Sequence, residues 1–457
     1  MPRLPRLCLA LLLASPLIAA APGAWADPPP SIPEGVSLPL EHYTLPNGLR
    51  VVLQEDHRTP RVAIEILFDA GVVDDPAGRF GMAALMEHAL RYGAPRQLAP
   101  ADTSDLFRAL SIPPFWFEVK AADDYTGMKA QVDARALPVA LWLASNQVGF
   151  FRDGIHQNLV EQAADNIAGW RGPTAEERLV KTVAENVFGA GHPCVHLFGA
   201  PAADKLAAVT PAEVRARAAQ LYQVGNATLV LAGDLAPRAA KQLVERYFGS
   251  LAGRPRPEVA APPQAGLKSV VRVSQEMPAG LGTVLLAWPT PRYFEEDDLA
   301  LDVVAHILQA RLARRLVDEQ HLVAAASAQQ ISRRHGSLFL IRLKVADGRS
   351  LDAAARAAEQ EIEGLRDAPP TEAELVAARD VYLLAALRRV EALEDRAYML
   401  ATFASHTGDP GHLDSVLASR RRIDGETVRR VVRTHLPLDR RVVALGPPSP
   451  RPTAGGI

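Results

Sequence analysis

The chain is nearly without cysteine: it has two in 457 residues, Cys8 and Cys194. Cys8 falls in an amino-terminal segment that carries the marks of a removable export signal, so one thiol remains in the folded part. A single cysteine forms no internal disulfide and is too little for a thiolate metal cage, which leaves Cys194 as a small packing residue. Excess positive charge is missing as well. A formal net charge of −2 offers nothing to neutralise a phosphate backbone, which excludes nucleic acid as the main partner. A full-length membrane span is also lacking at the start, where the apolar run LCLALLLASPLIAAA is short and broken by Ser15 and Pro16. Arg3 and Arg6 precede that run, and Ala24-Trp25-Ala26 follows it as a small-x-small site. Residues 1–26 therefore read as a signal peptide cleaved after Ala26, which exports the chain to the periplasm and leaves no membrane anchor.

What is present is organisation. Stretches rich in proline or glycine set off a leader (27–35), an interdomain linker (251–266) and a frayed tail (447–457). Between them lie two blocks, 36–250 and 267–446, each long enough to bury its own core. In the first block YTLPNGLRVVLQED carries an Asn47-Gly48 hairpin signal, RVAIEILFDAG follows as a strand, and NATLVLAGD closes as another. The second runs from SVVRVSQEM and LGTVLLAWPTP through the helical DDLALDVVAHILQARLARRL to a closing RRVVALGPP. A duplicated unit is the economical reading.

LPVALWLASNQVGFF and TPAEVRARAAQLY read as amphipathic helices, the latter opening with a Thr210–Glu213 capping box and Pro211 at its first position. TEAELVAARDVYLLAALRRVEALEDRAYMLATFAS reads as one long helical pattern. Strands early and helices late predict an α+β class: two α/β sandwich domains in tandem, each a mixed, mainly antiparallel sheet with helices packed on one face.

The chemistry concentrates in GMAALMEHALRYGA, Gly81 to Ala94. Gly93 stands where a glycine would end a helix, and positions 84 and 88 share one helical face beside Glu87. An inverted zinc motif, H-x-x-E-H, uses this spacing: two histidines hold the metal and the glutamate takes a proton from metal-bound water. Here the first histidine position is Ala84, and a Glu-His pair on an apolar helix says little by itself.

Its surroundings say more. FDAGVVDDPAGRFGMAALMEHALRYGA resembles the motif region of the pitrilysin/insulinase family of inverzincin metallopeptidases, with Gly71, Gly81, Glu87, His88 and Gly93 in place. LPNGLRVVLQEDHRTPRVAIEILFDAG, HPCVHLFGAPAADKLAAVTPAEVRARAAQLYQVGNATLVLAGDLAP and ARLARRLVDEQHLVAAASA extend the resemblance through nearly all of the mature chain.

The resemblance also implies where the site has decayed. The third ligand, a glutamate in the family, aligns with Asn166, or one residue earlier with Asp165, and Glu161 is a further carboxylate on that helix. Amide oxygen is a poor donor to a catalytic metal, and one histidine with one carboxylate falls short of three ligands. EVKAADDYTGM keeps Asp124 and Thr126 of a family strand but has Glu118 and Met128 at two changed positions. The arginine and tyrosine that grip the substrate carbonyl in many members are Val317 and Ala324 here.

His57, His192, His196 and His306 are read as structural rather than as replacement ligands. The aromatic run Phe115-Trp116-Phe117, in the candidate wall strand PPFWFEVK, is read as core. The reading that results is a non-catalytic, peptide-binding or structural subunit without tightly bound zinc. It would pair with a zinc-bearing paralogue as a heterodimer, or form a homodimer, and hold extended peptides. The alternatives are an active zinc endopeptidase using His88 with Asp165 or Glu161, and a periplasmic peptide-binding or chaperone-like protein.

Overall fold

The computed structural model describes residues 38–76, 79–93, 117–168, 173–198, 206, 208–255 and 266–449. The expected signal peptide and leader lie outside them, as do residues 256–265 of the linker and 450–457 of the tail. In chain order the first block forms β1 (Leu40–Thr44), β2 (Arg50–Glu55), β3 (Arg61–Phe68), α1 (Met82–Tyr92), β4 (Glu118–Ala121), β5 (Thr126–Asp133), α2 (Leu137–Phe150), α3 (Gln157–Ala168), α4 (Ala175–Phe188), α5 (Pro211–Leu221), β6 (Ala227–Gly233) and α6 (Pro237–Phe248). The second block forms β7 (Val271–Ser274), β8 (Gly282–Thr290), α7 (Asp298–Leu312), β9 (Val323–Ile331), β10 (Ser337–Val345), α8 (Leu351–Asp367), α9 (Glu372–Glu391), α10 (Leu393–Thr407), α11 (Leu413–Arg422), α12 (Gly425–His435) and β11 (Val442–Gly446).

The two sheets repeat one another. The first has the order β1-β2-β6-β3-β5-β4 and the second β7-β11-β8-β10-β9. Each is antiparallel except for one parallel pair, β2 with β6 and β7 with β11. β1 is the extra strand of the first sheet, joined to β2 through the turn at Asn47-Gly48, where Gly48 has a φ of 89° that suits glycine. Superposing the two orders sets α1 against α7 and the edge strand β4 against the edge strand β9.

Each sheet packs its own helices on one face. Leu53, Ile64, Ile66 and Phe68 meet Leu85 and Met86 of α1, Leu141 of α2 and Phe248 of α6 in one core. Leu286, Trp288 and Ile341 meet Leu301 of α7, Ile362 of α8 and Val431 of α12 in the other. The central strands read as near-continuous apolar runs, RVAIEILF and ATLVLAG, and a strand of that kind must be covered on both sides.

The second cover is exchanged between blocks. Ala397, Leu400, Ala401 and Ala404 of α10 pack on Val52, Ala63, Leu67, Val230 and Ala232 of the first sheet. Leu179, Val183 and Val187 of α4 pack on Leu285, Ala287, Leu340 and Val442 of the second. This reciprocal packing adds to the one-faced arrangement expected from sequence.

Two expected helices differ from the structure. The single long helix of the second block is two, α9 and α10, separated at Ala392, whose backbone is extended (φ −73°, ψ 120°). The break turns α10 onto the first sheet. There Arg396, almost wholly buried, donates to Asp56 Oδ2 at 2.7 Å and to the Val390 carbonyl at 3.0 Å. Nor is α2 amphipathic. Leu137, Ala140, Leu141, Leu143, Ala144, Ser145, Asn146 and Val148 are all buried, so most of its circumference is interior. No helix among the described residues is long and apolar enough to cross a membrane.

Candidate metal centre and the adjoining strand edge

The helix α1 is held at its start by an acidic turn. Asp74 accepts the Gly71 N–H at 2.9 Å, and Asp75 accepts the N–H groups of Gly81 and Ala83 at 2.6 and 2.8 Å. Burial pushes the Asp75 carboxyl up to about 7, although those two donors pull it down. Gly71 has to be glycine: a Cβ there would come within 2.5 Å of the Asp123 carbonyl and the Tyr125 N–H. Leu85, Met86, Ala89 and Leu90 then bury one face of the helix. Ala84, Glu87, His88 and Arg91 are less buried, and this is the face that would carry a metal site.

On that face Glu87 is already engaged. Its Oε2 accepts the Ala121 N–H at 2.9 Å and its Oε1 accepts from Arg91 Nη2 at 3.0 Å. Arg91 in turn donates to the Val119 carbonyl. Val119 and Ala121 belong to β4, the edge of the first sheet, so the Glu-Arg pair occupies an acceptor and a donor on its outward side. Arg91 was not singled out in the sequence, although its place four residues after Glu87 is a standard ion-pair spacing.

His88 packs against Tyr92 with ring centroids 4.5 Å apart and the rings tilted by 50°, and its Nε2 is buried without a hydrogen-bond partner among the described residues. Burial, aided by Arg91, holds the ring below its usual pKa and so neutral. Ala84, one turn earlier, packs against the first core. On α3 the carboxylate candidates are exposed: Glu161 accepts from Gln157 Nε2 at 2.9 Å, and Asp165 and Asn166 also face solvent. Among the described residues no group of three or more His, Cys, Asp or Glu side chains is placed to hold a metal ion. The donor set does not fit a catalytic zinc: one imidazole is in place, and the glutamate that should face the metal-bound water is tied to the sheet edge.

The remaining motif residues have structural partners. Glu118 pairs with Lys129 at 3.2 Å and Met128 is buried. Thr126 Oγ1 donates to the Ala70 carbonyl at 2.8 Å, and Asp124 Oδ2 accepts the Arg334 N–H at 3.0 Å. Val317, in a π-helical turn (Ala313–Glu319), packs against the second core, and Ala324 is exposed at the start of β9. Neither can grip a carbonyl.

His57 is exposed between Asp234 and Glu55, which raise its pKa. His192 stacks on Phe188, and His196 lies 5.3 Å from the Phe80 ring. Cys194 is buried, and burial pushes its thiol up to about 12, as an inert packing residue requires. Phe115 and Trp116 lie outside the described residues, while Phe117 is buried. A further cluster left no trace in the sequence: buried Asp69 joins Arg50 at 2.5 Å with Arg334 and Ser405 of the other block.

The fold is a pair of matching α/β sheets, with Glu87 and His88 of α1 beside the edge of the first. A family profile described as Peptidase M16 inactive domain matches residues 208–382. The zinc protease PqqE of Helicobacter pylori is 23% identical over 350 residues, covering 73% of this chain and 76% of that protein. The crystal structure of a peptidase M16 inactive domain from Pseudomonas fluorescens is similar with a TM-score of 0.77 at 18% identity, over 91% of this chain and 100% of that one. The first half of the periplasmic protease PqqL from Escherichia coli gives a TM-score of 0.70 at 15% identity, over 90% of this chain and 93% of that one. Over residues 208–382 the chain matches that M16 profile, and its fold is the one seen in M16 peptidase-like proteins, so it is similar to the pitrilysin/insulinase family. The match is to the inactive domain of M16 peptidases, and the chain is a catalytically degenerate homologue of them.

Proposed function

We propose that this protein is a non-catalytic, peptide-binding or structural subunit that works beside a metal-bearing paralogue in the periplasm. The observation that carries the reading is the engagement of Glu87. In a working zinc peptidase this carboxylate must be free to take a proton from metal-bound water. Here both of its oxygens accept hydrogen bonds, from Arg91 and from the edge strand. Ala84 supplies no ligand, and Val317 and Ala324 supply no grip on a substrate carbonyl. Export rests on Arg3, Arg6 and the Ala24-Trp25-Ala26 site, and the likeness to a periplasmic protease agrees with it.

The second reading, an endopeptidase with an atypical site, is favoured by one observation: the buried Nε2 of His88, which has no hydrogen-bond partner among the described residues. The two separate in one experiment. The mature protein is purified from a periplasmic extract and assayed for metal and for cleavage of unfolded polypeptide, and the proteins that accompany it are identified. Substoichiometric zinc, no cleavage by the isolated chain, and co-purification with a homologue bearing an intact H-x-x-E-H are expected. One tightly bound zinc per chain, with hydrolysis abolished by Glu87→Gln, would overturn the proposal.

A further inference from the structure

The internal repeat gives each block the same junction of helix, edge strand and helix. In the first block α1 faces β4 with α3 beside it. In the second α7 faces β9, and α9, which follows α8 as α3 follows α2, takes the place of α3. The first junction is bridged, because Glu87 and Arg91 of α1 reach across to the main chain of β4. In the second, His306 and Gln309 of α7 make no such bond to β9 among the described residues. A cavity of about 460 Å³ lies there instead, between α7, α9 and the carboxyl-terminal half of β9.

The charged groups that line the cavity are already paired. Asp302 accepts from Arg420 Nη2 at 2.5 Å, and Arg333 pairs with Asp123. Tyr382 is committed twice: its hydroxyl donates to the Asp302 carbonyl at 2.8 Å, and the Arg420 guanidinium lies over its ring, 4.4 Å from the centroid. His306, Gln309 and Gln329 have no hydrogen-bond partner among the described residues. Burial holds His306 below its usual pKa and so neutral. The groups left to meet a ligand are therefore two amides and an uncharged imidazole. The small buried side chains of Ala305 and Ala328 leave the room beside them.

That lining selects among ligand classes. A charged ligand would lose its hydration without finding a free opposite charge. An apolar ligand would leave three polar side chains unpaired. A flat heteroaromatic ring needs an open aromatic face, and the Tyr382 ring already carries Arg420. A hydroxyl group both donates and accepts, as an amide and a neutral imidazole also do, so a ring with several adjacent hydroxyls satisfies all three side chains at once. We infer that this cavity is a binding site for a neutral saccharide of one or two rings, held through its hydroxyls by His306, Gln309 and Gln329. The volume is that of a small-molecule site. The site makes no use of Glu87 or His88 and is independent of the proposed function.

The test titrates the full mature chain calorimetrically with glucose, galactose, mannose, N-acetylglucosamine, maltose, cellobiose and chitobiose, and with glucuronate and glucosamine as charged counterparts. Hydrogen exchange locates the bound sugar. Saturable one-to-one binding of at least one neutral sugar is expected, with slowed exchange at residues 302–309 and 328–331 and binding of the charged sugars at least about tenfold weaker. Gln309→Ala and Gln329→Ala should each weaken binding by about five- to tenfold, the worth of one hydrogen bond. Both positions are exposed, so these variants keep the fold, and an unchanged urea midpoint checks this. Arg91→Ala, at the first junction, should leave sugar binding unchanged.

Absence of saturable binding by every neutral sugar would overturn the inference. So would tighter binding of glucuronate or glucosamine than of the neutral sugars, which would make the site one for ions. Binding indifferent to both glutamine variants, with protection elsewhere in the chain, would place the sugar at another site and also overturn it. None of these outcomes touches the non-catalytic reading, which zinc content and cleavage by the isolated chain decide.

Discussion

Replacing Glu87 by alanine separates a structural glutamate from a catalytic one. The structure gives the carboxylate two bonds. The bond from Arg91 is an i,i+4 ion pair whose side chains are 33% and 28% exposed, so solvent screens it and it contributes about 0.3–1 kcal/mol. The bond from the Ala121 N–H, at 2.9 Å, is charge-assisted and partly buried, which makes it the larger share at about 1.5–2 kcal/mol. Glu87→Ala should therefore lower stability by about 2–3 kcal/mol, and Glu87→Gln, which keeps an acceptor for Ala121, by about 1 kcal/mol.

Urea denaturation followed by tryptophan fluorescence measures both. A double-mutant cycle with Arg91→Ala should return a coupling of about 0.5–1 kcal/mol. Hydrogen exchange should speed up at Ala121 before the rest of the sheet. An unchanged urea midpoint for Glu87→Ala would refute the assignment. If that variant also lost a chelator-sensitive hydrolysis, Glu87 would be a general base after all.

Other expectations are as specific. Leu400→Ala, in a helix of the second block, should destabilise the protein by about 2–5 kcal/mol because Leu400 is fully buried against the first sheet, and exchange should rise in β3 and β6. Burial raises the Glu65 carboxyl to about 8. The folded protein thus holds a proton there that the unfolded chain has released above about pH 4.5, and stability falls as pH rises from about 4.5 to 8. Glu65→Gln should remove a loss on the order of 4 kcal/mol from that window, while the smaller fall from Asp75 stays; equal slopes in the two proteins would refute this. Gly71→Ala should cost several kcal/mol, about 3, through backbone clashes with the Ala122–Tyr125 turn, and a fold as stable as the parent would show that the turn yields.

Much of this molecule is legible in its residues because the signals are local. Period and punctuation mark β2, β3, α1 and β6. The Thr210 capping box forms as read, with the Thr210 hydroxyl accepting the Glu213 N–H and the Glu213 carboxylate accepting the Thr210 N–H. That the side chain of Ala84 offers no donor atom is legible in the same way, since this holds in any fold. Where local reading fell short, packing decided. The pattern across residues 371–405 is helical throughout, but only contact with the first sheet, with Arg396 reaching Asp56 across 340 positions, sets the break at Ala392.

The use to which Glu87 is put is likewise a tertiary fact. It depends on a strand 34 residues away arriving with its N–H pointed at the carboxylate. The joining of the blocks through Asp69 and Ser405, 336 positions apart, is of the same kind. By itself the sequence determined what chemistry this protein lacks, because a side chain's donors are its own. Only the folded chain decided that Glu87 and Arg91 occupy the β4 edge, because that depends on which distant groups reach it.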